Sequence, residues 1–477
     1  MNDQPNQIRR NDIIELDIES LAFKGKGVAH LDGFTIFVER GIPRQKVKAR
    51  VVKKKSNYAE AYAFEVVNHS PLEVAPRCRY FGSCGGCLLQ NLNYGEQLIQ
   101  KRQQVKELLE HIGGFQNVEI LPTMPSPDTY FYRNKMEFTF SNFRWLLPDE
   151  IDAGLMVDRD FALGLHVPNS FTKVIDIKEC FLLSERSNIV FEAIRKFAAA
   201  SSFAPYTTKD HSGFWRFVVI RESKTLGQMM VNLVTAQDAK GEGKVQELSR
   251  LLIEQFPFIT TCVHNVSRKK AQIAFGDHEN TLFGPGYIEE VLAQTRYRIS
   301  ANSFFQTNTL QAEAMYRLIR EWGAFEKNDI VYDLYSGAGG IALFIAPLVG
   351  RVVGFELVQQ AIADAEVNCR LNAIDNCNFV EGDLKDQIAN PPEIIEKCGQ
   401  PSIVIIDPPR SGLHPKLPER ILQLRPERIL YVSCDPSTLA RDLKLLCASD
   451  FSPVKVQPVD MFPNTAHCET VVLLEKK

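Results

Sequence analysis

The chain has 477 residues, room for roughly two to four domains, with 45% hydrophobic and 24% charged residues, the balance of an ordinary globular protein. A net charge of −3 gives no global sign of a nucleic-acid partner. Met1 to Asn11 is polar and does not resemble a signal peptide, and no uncharged apolar run reaches the ~18 residues a membrane helix needs, so the cytoplasm is the expected location. Eleven cysteines, an odd number in a long chain, argue against a disulfide framework and for reduced thiols with metal or catalytic roles.

Residues 8–69 read as a short all-β module. Apolar runs at Ile13–Ile18, Gly33–Val38, Lys46–Lys53 and Ala59–Val67 are separated by Gly and Pro turns. The spacing predicts a small five-stranded barrel of the OB type. From Arg40 to Lys55 there are eight basic residues and no acidic one. In Lys46-Val47-Lys48-Ala49-Arg50-Val51 the alternation sends cations to one face of a strand and apolar side chains to the other. A flat basic surface of this kind suits phosphates. Phe23-Lys24-Gly25-Lys26-Gly27-Val28-Ala29, Asp32-Gly33 and Phe37-Val38 resemble the TRAM domain, an RNA-binding barrel, with Arg44-Gln45 where that family usually has a Gly-acidic turn. The first domain is placed at 1–69.

Residues 70–92 carry Cys78-Arg-Tyr-Phe-Gly-Ser-Cys84-Gly-Gly-Cys87 and little regular structure, and Cys180 follows downstream. Three thiols within ten residues and a distant fourth fit a [4Fe–4S] cluster. Spacing alone leaves a structural zinc site open, although zinc ligands more often come as two C-x2-C pairs and only Cys84–Cys87 forms one. Residues 93–113 predict an amphipathic helix with Leu98, Val105, Leu108, Leu109 and Ile112 on one side, ended by Gly113-Gly114. Beyond it, short strand-like runs such as Lys135–Phe140 and Met229–Val234, interrupted by a helix near Ser187–Ala200, predict a mixed α+β central domain, 70–295.

From residue 296 to 477 strand and helix patterns alternate. Strands are predicted at Ile330–Leu334, Arg351–Glu356, Asn378–Glu381, Ser402–Ile406, Arg428–Ser433 and Val471–Leu474, which implies a parallel sheet covered on both faces. Asp333-Leu334-Tyr335-Ser336-Gly337-Ala338-Gly339-Gly340 follows the first strand and opens a helix, where backbone can approach a ligand. Glu356 ends the second strand, placed to accept ribose hydroxyls; Asp383 ends the third, and Asp407-Pro408-Pro409-Arg410 the fourth. This order resembles the S-adenosylmethionine-dependent methyltransferase fold. An NAD-type domain is disfavoured because its phosphate-binding glycine spacing is absent.

Cys434 directly follows the fifth strand, with Asp435 as helix cap and Pro436 in the first helical turn. A thiol at a helix N-terminus is expected to have a lowered pKa. Glu469 precedes the last strand as a candidate general base. Methylation of nitrogen or oxygen needs no thiol. Carbon 5 of a pyrimidine does, because addition of a thiolate at carbon 6 makes carbon 5 nucleophilic.

Over essentially its whole length the chain resembles the RNA uracil-5-methyltransferases, in particular their iron–sulfur, TRAM-bearing 23S rRNA branch. The motifs are Cys78-x5-Cys84-x2-Cys87 with Cys180, Tyr132-Arg133-Asn134-Lys135, Ser303-Phe304-Phe305-Gln306-Thr307-Asn308, Asp333-Leu334-Tyr335-Ser336-Gly337, Asp407-Pro408-Pro409-Arg410, Ser433-Cys434-Asp435-Pro436 and His467-Cys468-Glu469-Thr470. The resemblance implies a class I, Rossmann-like catalytic domain with Cys434 as nucleophile and Glu469 as base. It implies S-adenosylmethionine held by Gln306, Tyr335, Glu356, Asp383 and Asp407, and a [4Fe–4S] cluster on Cys78, Cys84, Cys87 and Cys180. Gly340 stands where some branches have Asn. The expected partner is RNA, 23S rRNA before tRNA, with no membrane, and the expected state is a monomer. A radical methylthiotransferase is disfavoured by the x5 cysteine spacing, and an amino-methyltransferase or a non-catalytic assembly factor by Cys434 and Glu469.

Overall fold

The computed structural model describes residues 8–477; the first seven residues, which include most of the polar start and open the 1–69 module, lie outside the described residues. Six strands form the amino-terminal sheet: Ile13–Asp17, Ser20–Leu21, Gly27–Leu31, Phe34–Glu39, Lys46–Lys54 and Tyr58–Asn68. The extra strand over the five expected is the two-residue Ser20–Leu21. Val47, Ala49 and Val51 point into the core with Leu16, Ile36 and Val38, as the alternation predicts. The cationic face differs from expectation. Glu15 and Glu65 lie opposite Lys48 in the flanking strands, and Lys48 Nζ reaches Glu65 at 2.9 Å, Lys53 reaches Glu60 at 3.0 Å and Lys46 reaches Glu15 at 3.8 Å. Cross-strand carboxylates thus neutralise much of that face. Among the described residues Arg40, Arg44, Arg50, Lys54 and Lys55 have no carboxylate partner.

The central region is built on an eight-stranded sheet running from His278–Phe283 at one edge to Arg144–Trp145 at the other. Helices Glu185–Ala200 and Ala239–Gln255 supply Val190, Phe191, Ile194, Val245, Leu248 and Leu252 to its core. Trp215–Glu222 is buried along its whole length, Arg216 and Arg221 included.

The last sheet has seven strands in the order Cys377–Glu381, Arg351–Glu356, Ile330–Leu334, Ile403–Ile406, Arg428–Ser433, Glu469–Lys476, Phe451–Val459. The first five are parallel, Glu469–Lys476 runs antiparallel to them, and Phe451–Val459 pairs antiparallel with Glu469–Lys476. Strand order reverses between Ile330–Leu334 and Ile403–Ile406, which opens a crevice at their carboxyl ends. Phe451–Val459 escapes sequence reading because it contains Pro453 and Pro458. It is an edge strand with a bulge beside Pro453, where missing N–H donors do no harm.

The helix expected at 93–113 forms as Tyr94–Leu108, continues as a π turn over Leu109–Gly113 and ends at left-handed Gly114. Its buried face is not the apolar one expected. Gln97, Gln100, Lys101 and Gln104 are buried with Val105 and Leu109, while Ile112 is exposed. The reason is its surroundings: this face meets polar groups from distant parts of the chain, the backbone of Leu21 and the Asp460 carboxylate, rather than an apolar surface. Gln100 Oε1 accepts from Leu21 N at 2.8 Å, Gln104 Nε2 donates to Leu21 O at 3.1 Å, and Lys101 Nζ pairs with Asp460 at 2.6 Å. The following segment bridges to the edge strand through Ile120 with Val456 and Met124 with Val459. Residues 94–124 therefore pack on the last sheet. The hairpin Tyr287–Leu292/Thr295–Ser300 spans the 295/296 boundary and puts Ile288, Leu292, Tyr297 and Ile299 into that sheet's core. Among the described residues no helix is long and apolar enough to cross a membrane.

Lys101 and Asp460 are both essentially inaccessible to water. Replacing Lys101 with Met strands a buried carboxylate, and a stability loss of about 3–5 kcal/mol is expected. The midpoint of denaturant unfolding, compared with wild type, measures it.

Candidate active site

The turn after Ile330–Leu334 is held in an unusual backbone shape, with Tyr335, Gly337 and Gly339 all at positive φ (67°, 55° and 81°). It walls a narrow pocket with Ser303, Phe304, Gln306, Tyr316, Asp333, Ser336, Asn368 and Asp407. Gln306, Tyr335 and Asp407, expected from sequence, meet here. Glu356 and Asp383 are not among the lining residues. Glu356 accepts from Gly337 N at 2.9 Å and Val358 N at 2.8 Å, so it braces the turn. Asp383 caps the short helix Leu384–Gln387 and pairs with Lys385 at 2.7 Å. Gly340 has a local reason: a Cβ there would stand 2.7 Å from the Tyr316 hydroxyl.

Two pocket groups that sequence reasoning did not single out carry unmet polar atoms. Asp333 Oδ1 and Ser336 Oγ are buried without a partner, although Asp333 Oδ2 accepts from Ala342 N at 3.2 Å. Buried polar atoms in this state call for a bound ligand or water. Both residues lie inside the Asp333–Gly340 motif, so the signal was their place at the strand's carboxyl end. The central region positions the other wall: Asn134 Nδ2 donates to Gln306 O at 2.9 Å, and Arg221 donates to Ser303 O at 2.7 Å.

Cys434 follows Arg428–Ser433, and Asp435 caps the next helix by accepting from Ser437 N at 2.9 Å and Thr438 N at 3.3 Å, with Pro436 in the first turn. The expected lowering of the thiol pKa is not found. Burial, and then the charge of Glu469, push Cys434 up to about 12, with Arg410 opposing. The helix end that would stabilise a thiolate is already engaged by the Asp435 carboxylate. Glu469, the first residue of the last strand, is raised to about 8 by burial and then by Asp407, again against Arg410. Burial lifts Asp407 to about 7, and burial together with Asp407 lifts Asp333 to about 8. The structure thus brings Cys434, Glu469 and the pocket acid Asp407 within electrostatic reach of one another. Arg410 is the cation that Cys434 and Glu469 share, a role its motif position did not reveal.

Cys78, Cys84, Cys87 and Cys180 all line one cavity of ≈ 530 Å³ in the central region. Each sulfur has a hydrogen-bond donor beside it: the Tyr80 and Phe81 backbone at Cys78, Gly86 N at 3.4 Å from Cys84 Sγ, Gln90 at Cys87, and the Leu182 and Leu183 backbone at Cys180. Among the described residues no three or more His, Cys, Asp or Glu side chains converge as one metal ion requires.

The three raised carboxyls make stability depend on pH. Between their unfolded values near 4 and their folded values of about 7 to 8 the native state binds more protons, so the unfolding free energy falls as pH rises. The ligand-free protein should be measurably less stable to denaturant at about pH 8.5 than at about pH 7.5, where histidines with an ordinary value near 6.5 are already mostly neutral. Asp333→Asn should flatten that difference; an unchanged pH slope in the variant would contradict the assignment.

Residues 270–477 match the family model described as tRNA (Uracil-5-)-methyltransferase, and residues 8–64 match the TRAM domain. An uncharacterized RNA methyltransferase of Chlorobaculum tepidum is 43% identical, covering 99% of this chain and 98% of its own. One from Porphyromonas gingivalis is 40% identical, covering 96% and 99%. The crystal structure of Pyrococcus abyssi tRNA (uracil-54, C5)-methyltransferase in complex with S-adenosyl-L-homocysteine superposes with a TM-score of 0.73 at 29% identity, covering 97% of this chain and 100% of that one. The sheet order, the crevice at its carboxyl edge and these full-length similarities make this chain a member of the RNA (uracil-5-)-methyltransferase family, an S-adenosylmethionine-dependent enzyme with an amino-terminal TRAM domain.

Proposed function

We propose that this enzyme methylates carbon 5 of a uridine in RNA through a covalent adduct on Cys434. The observation that carries this reading is the meeting of a thiol, a buried carboxyl and the cofactor pocket at one strand edge, since no simpler acceptor than carbon 5 needs the thiol. Cys434 Sγ, as thiolate, bonds to carbon 6, and the electron pair moves to carbon 5. Carbon 5 takes, with that electron pair, the electrophilic methyl that bound S-adenosylmethionine would supply, and the methyl–sulfonium bond breaks to leave the neutral thioether. Glu469 as carboxylate then takes the proton from carbon 5, the sulfur–carbon 6 bond breaks, and the thiolate leaves. Gln306, Tyr335 and Asp407 would hold the cofactor, with Glu356 supporting the turn and Asp383 at its margin. Asp333 Oδ1 and Ser336 Oγ are further polar atoms available to it. A target base within folded RNA has to be flipped out to reach Cys434.

The cysteine cavity is proposed to hold a [4Fe–4S] cluster. A cubane anchors each thiolate on its own iron, so its ligands stand round a body rather than a point, and one cavity with an N–H donor at every sulfur suits it. Methyl transfer uses no electron, so its role is structural or RNA-positioning. The TRAM domain and these cysteines favour 23S rRNA. The full-length likeness to a tRNA (uracil-54, C5)-methyltransferase favours tRNA as the second reading. Mapping 5-methyluridine in RNA from cells lacking the gene decides between them. We propose that the enzyme acts in the cytoplasm as a monomer.

RNA from gene-deleted cells grown with 5-fluorouracil, incubated with the protein and S-adenosylmethionine, should give a denaturant-stable protein–RNA adduct, because fluorine at carbon 5 cannot leave as a proton. Cys434→Ala should abolish it. On ordinary RNA Glu469→Gln should instead accumulate methylated adduct, slowing release by about 10²-fold or more. No adduct from the folded wild-type protein would refute the mechanism.

Cys84→Ser should lower the thermal midpoint and RNA affinity along with turnover. If only turnover fell, with both other quantities intact, the structural role of the cysteine site would be wrong.

A further inference from the structure

The hairpin loop between the last two strands, 460–468, carries Glu469 at its exit. It is held by parts of the chain that precede the catalytic domain, and most of the hold passes through Asn464. Asn464 is 4% exposed and sits at φ +65°. Its carbonyl accepts from Leu88 N and Leu89 N, both at 3.0 Å; these are the two residues directly after Cys87. Its own N–H donates to Gln97 Oε1 at 2.9 Å, Gln97 Nε2 returns a bond to Asn464 Oδ1 at 3.2 Å, and Asn464 Nδ2 donates to Thr129 O at 2.7 Å. One residue thus makes five hydrogen bonds, none to its own hairpin. The barrel closes on the same loop, since a Cβ at Gly25 would stand 3.1 Å from Ala466 Cβ.

We propose that Asn464 is a positioning residue for Glu469, tying the loop that delivers the base to the backbone after Cys87, so that order in the cysteine loop sets the base. Glu469 opens its strand opposite Val459, so pairing fixes it on one side only; the loop fixes the other. A carboxyl that must reach one proton on a bound base tolerates little displacement. The cysteine loop and the reaction need not touch for one to govern the other. Two amide hydrogen bonds connect them through a residue five positions before the base.

The inference rests on the proposed role of Glu469, and the test separates the two. Asn464→Gly keeps the left-handed backbone and deletes both side-chain bonds; Gln97→Leu deletes the partner. Each variant is incubated, as full chain with S-adenosylmethionine, with total RNA from gene-deleted cells, and with the same RNA from cells grown with 5-fluorouracil. On ordinary RNA both variants should accumulate the methylated protein–RNA adduct about tenfold over wild type, as Glu469→Gln does, because proton removal is slowed. Adduct formation on fluorinated RNA, which needs no base, should stay within about twofold of wild type. Amide exchange at Leu88 and Leu89 should quicken in both variants. Wild-type release of product by both variants overturns the proposal, whatever their thermal midpoints. If Glu469→Gln itself fails to accumulate adduct, the role of the base is what has failed.

Discussion

Desolvated negative charge at the carboxyl edge of one parallel sheet is the constraint on which the site depends. Asp333 stands near the end of the central strand, Asp407 follows the next, and Glu469 opens the last; burial raises the pKa of all three, and the charge of Asp407 adds to it at Asp333 and Glu469. Cys434 is raised by burial and then by the charge of Glu469. Within the chain Arg410 is the cation set against both the thiol and the base. Such a site favours a ligand that brings positive charge. The helix end next to Cys434 does not offset its burial, because Asp435 occupies it.

The edge works only because distant chain segments hold it. Asn134 fixes the Gln306 carbonyl and Arg221 the Ser303 carbonyl, so the wall opposite the glycine turn is set by the central sheet. Tyr132 OH reaches Pro463 O at 3.1 Å, Lys101 reaches Asp460, and Asn464 meets the backbone after Cys87. Domains joined by a few long side chains would drift. Here buried charge and amide bonds fix the relation, and the polar face of Tyr94–Leu108 exists for that purpose.

RNA contact calls for a more local reading than charge runs suggest. The cations of Lys46–Lys54 face outward as alternation requires, yet Glu15, Glu60 and Glu65 meet three of them. Exposed pairs of this kind contribute little to stability, but they do subtract from the field a phosphate backbone meets. Among the described residues Arg40, Arg44, Arg50, Lys54 and Lys55 are the cations of that run without a carboxylate partner.

Local pattern determined a great deal. Ile330–Leu334, Arg351–Glu356 and Arg428–Ser433 form where their apolar runs stand, because strands buried on both faces must be continuous hydrophobic stretches. Asp435 and Pro436 mark the helix start by their own chemistry. Cys434, Glu469 and Asp407 stand out in the sequence as candidates because reactive residue types stand at strand ends, whereas Asp333 does not. What only the tertiary structure decided is whatever depends on partners far away in sequence. The buried face of Tyr94–Leu108 is polar because the backbone of Leu21 and Leu89 and the Asp460 carboxylate, from three distant regions, meet it, and no periodicity encodes that. Phe451–Val459 is a strand only because an edge forgives its prolines. The Cys434 pKa rises rather than falls because Glu469, 35 residues on, folds back beside it in the dehydrated edge. Composition and spacing name the groups; the distance between them, and the water excluded from them, are properties of the fold.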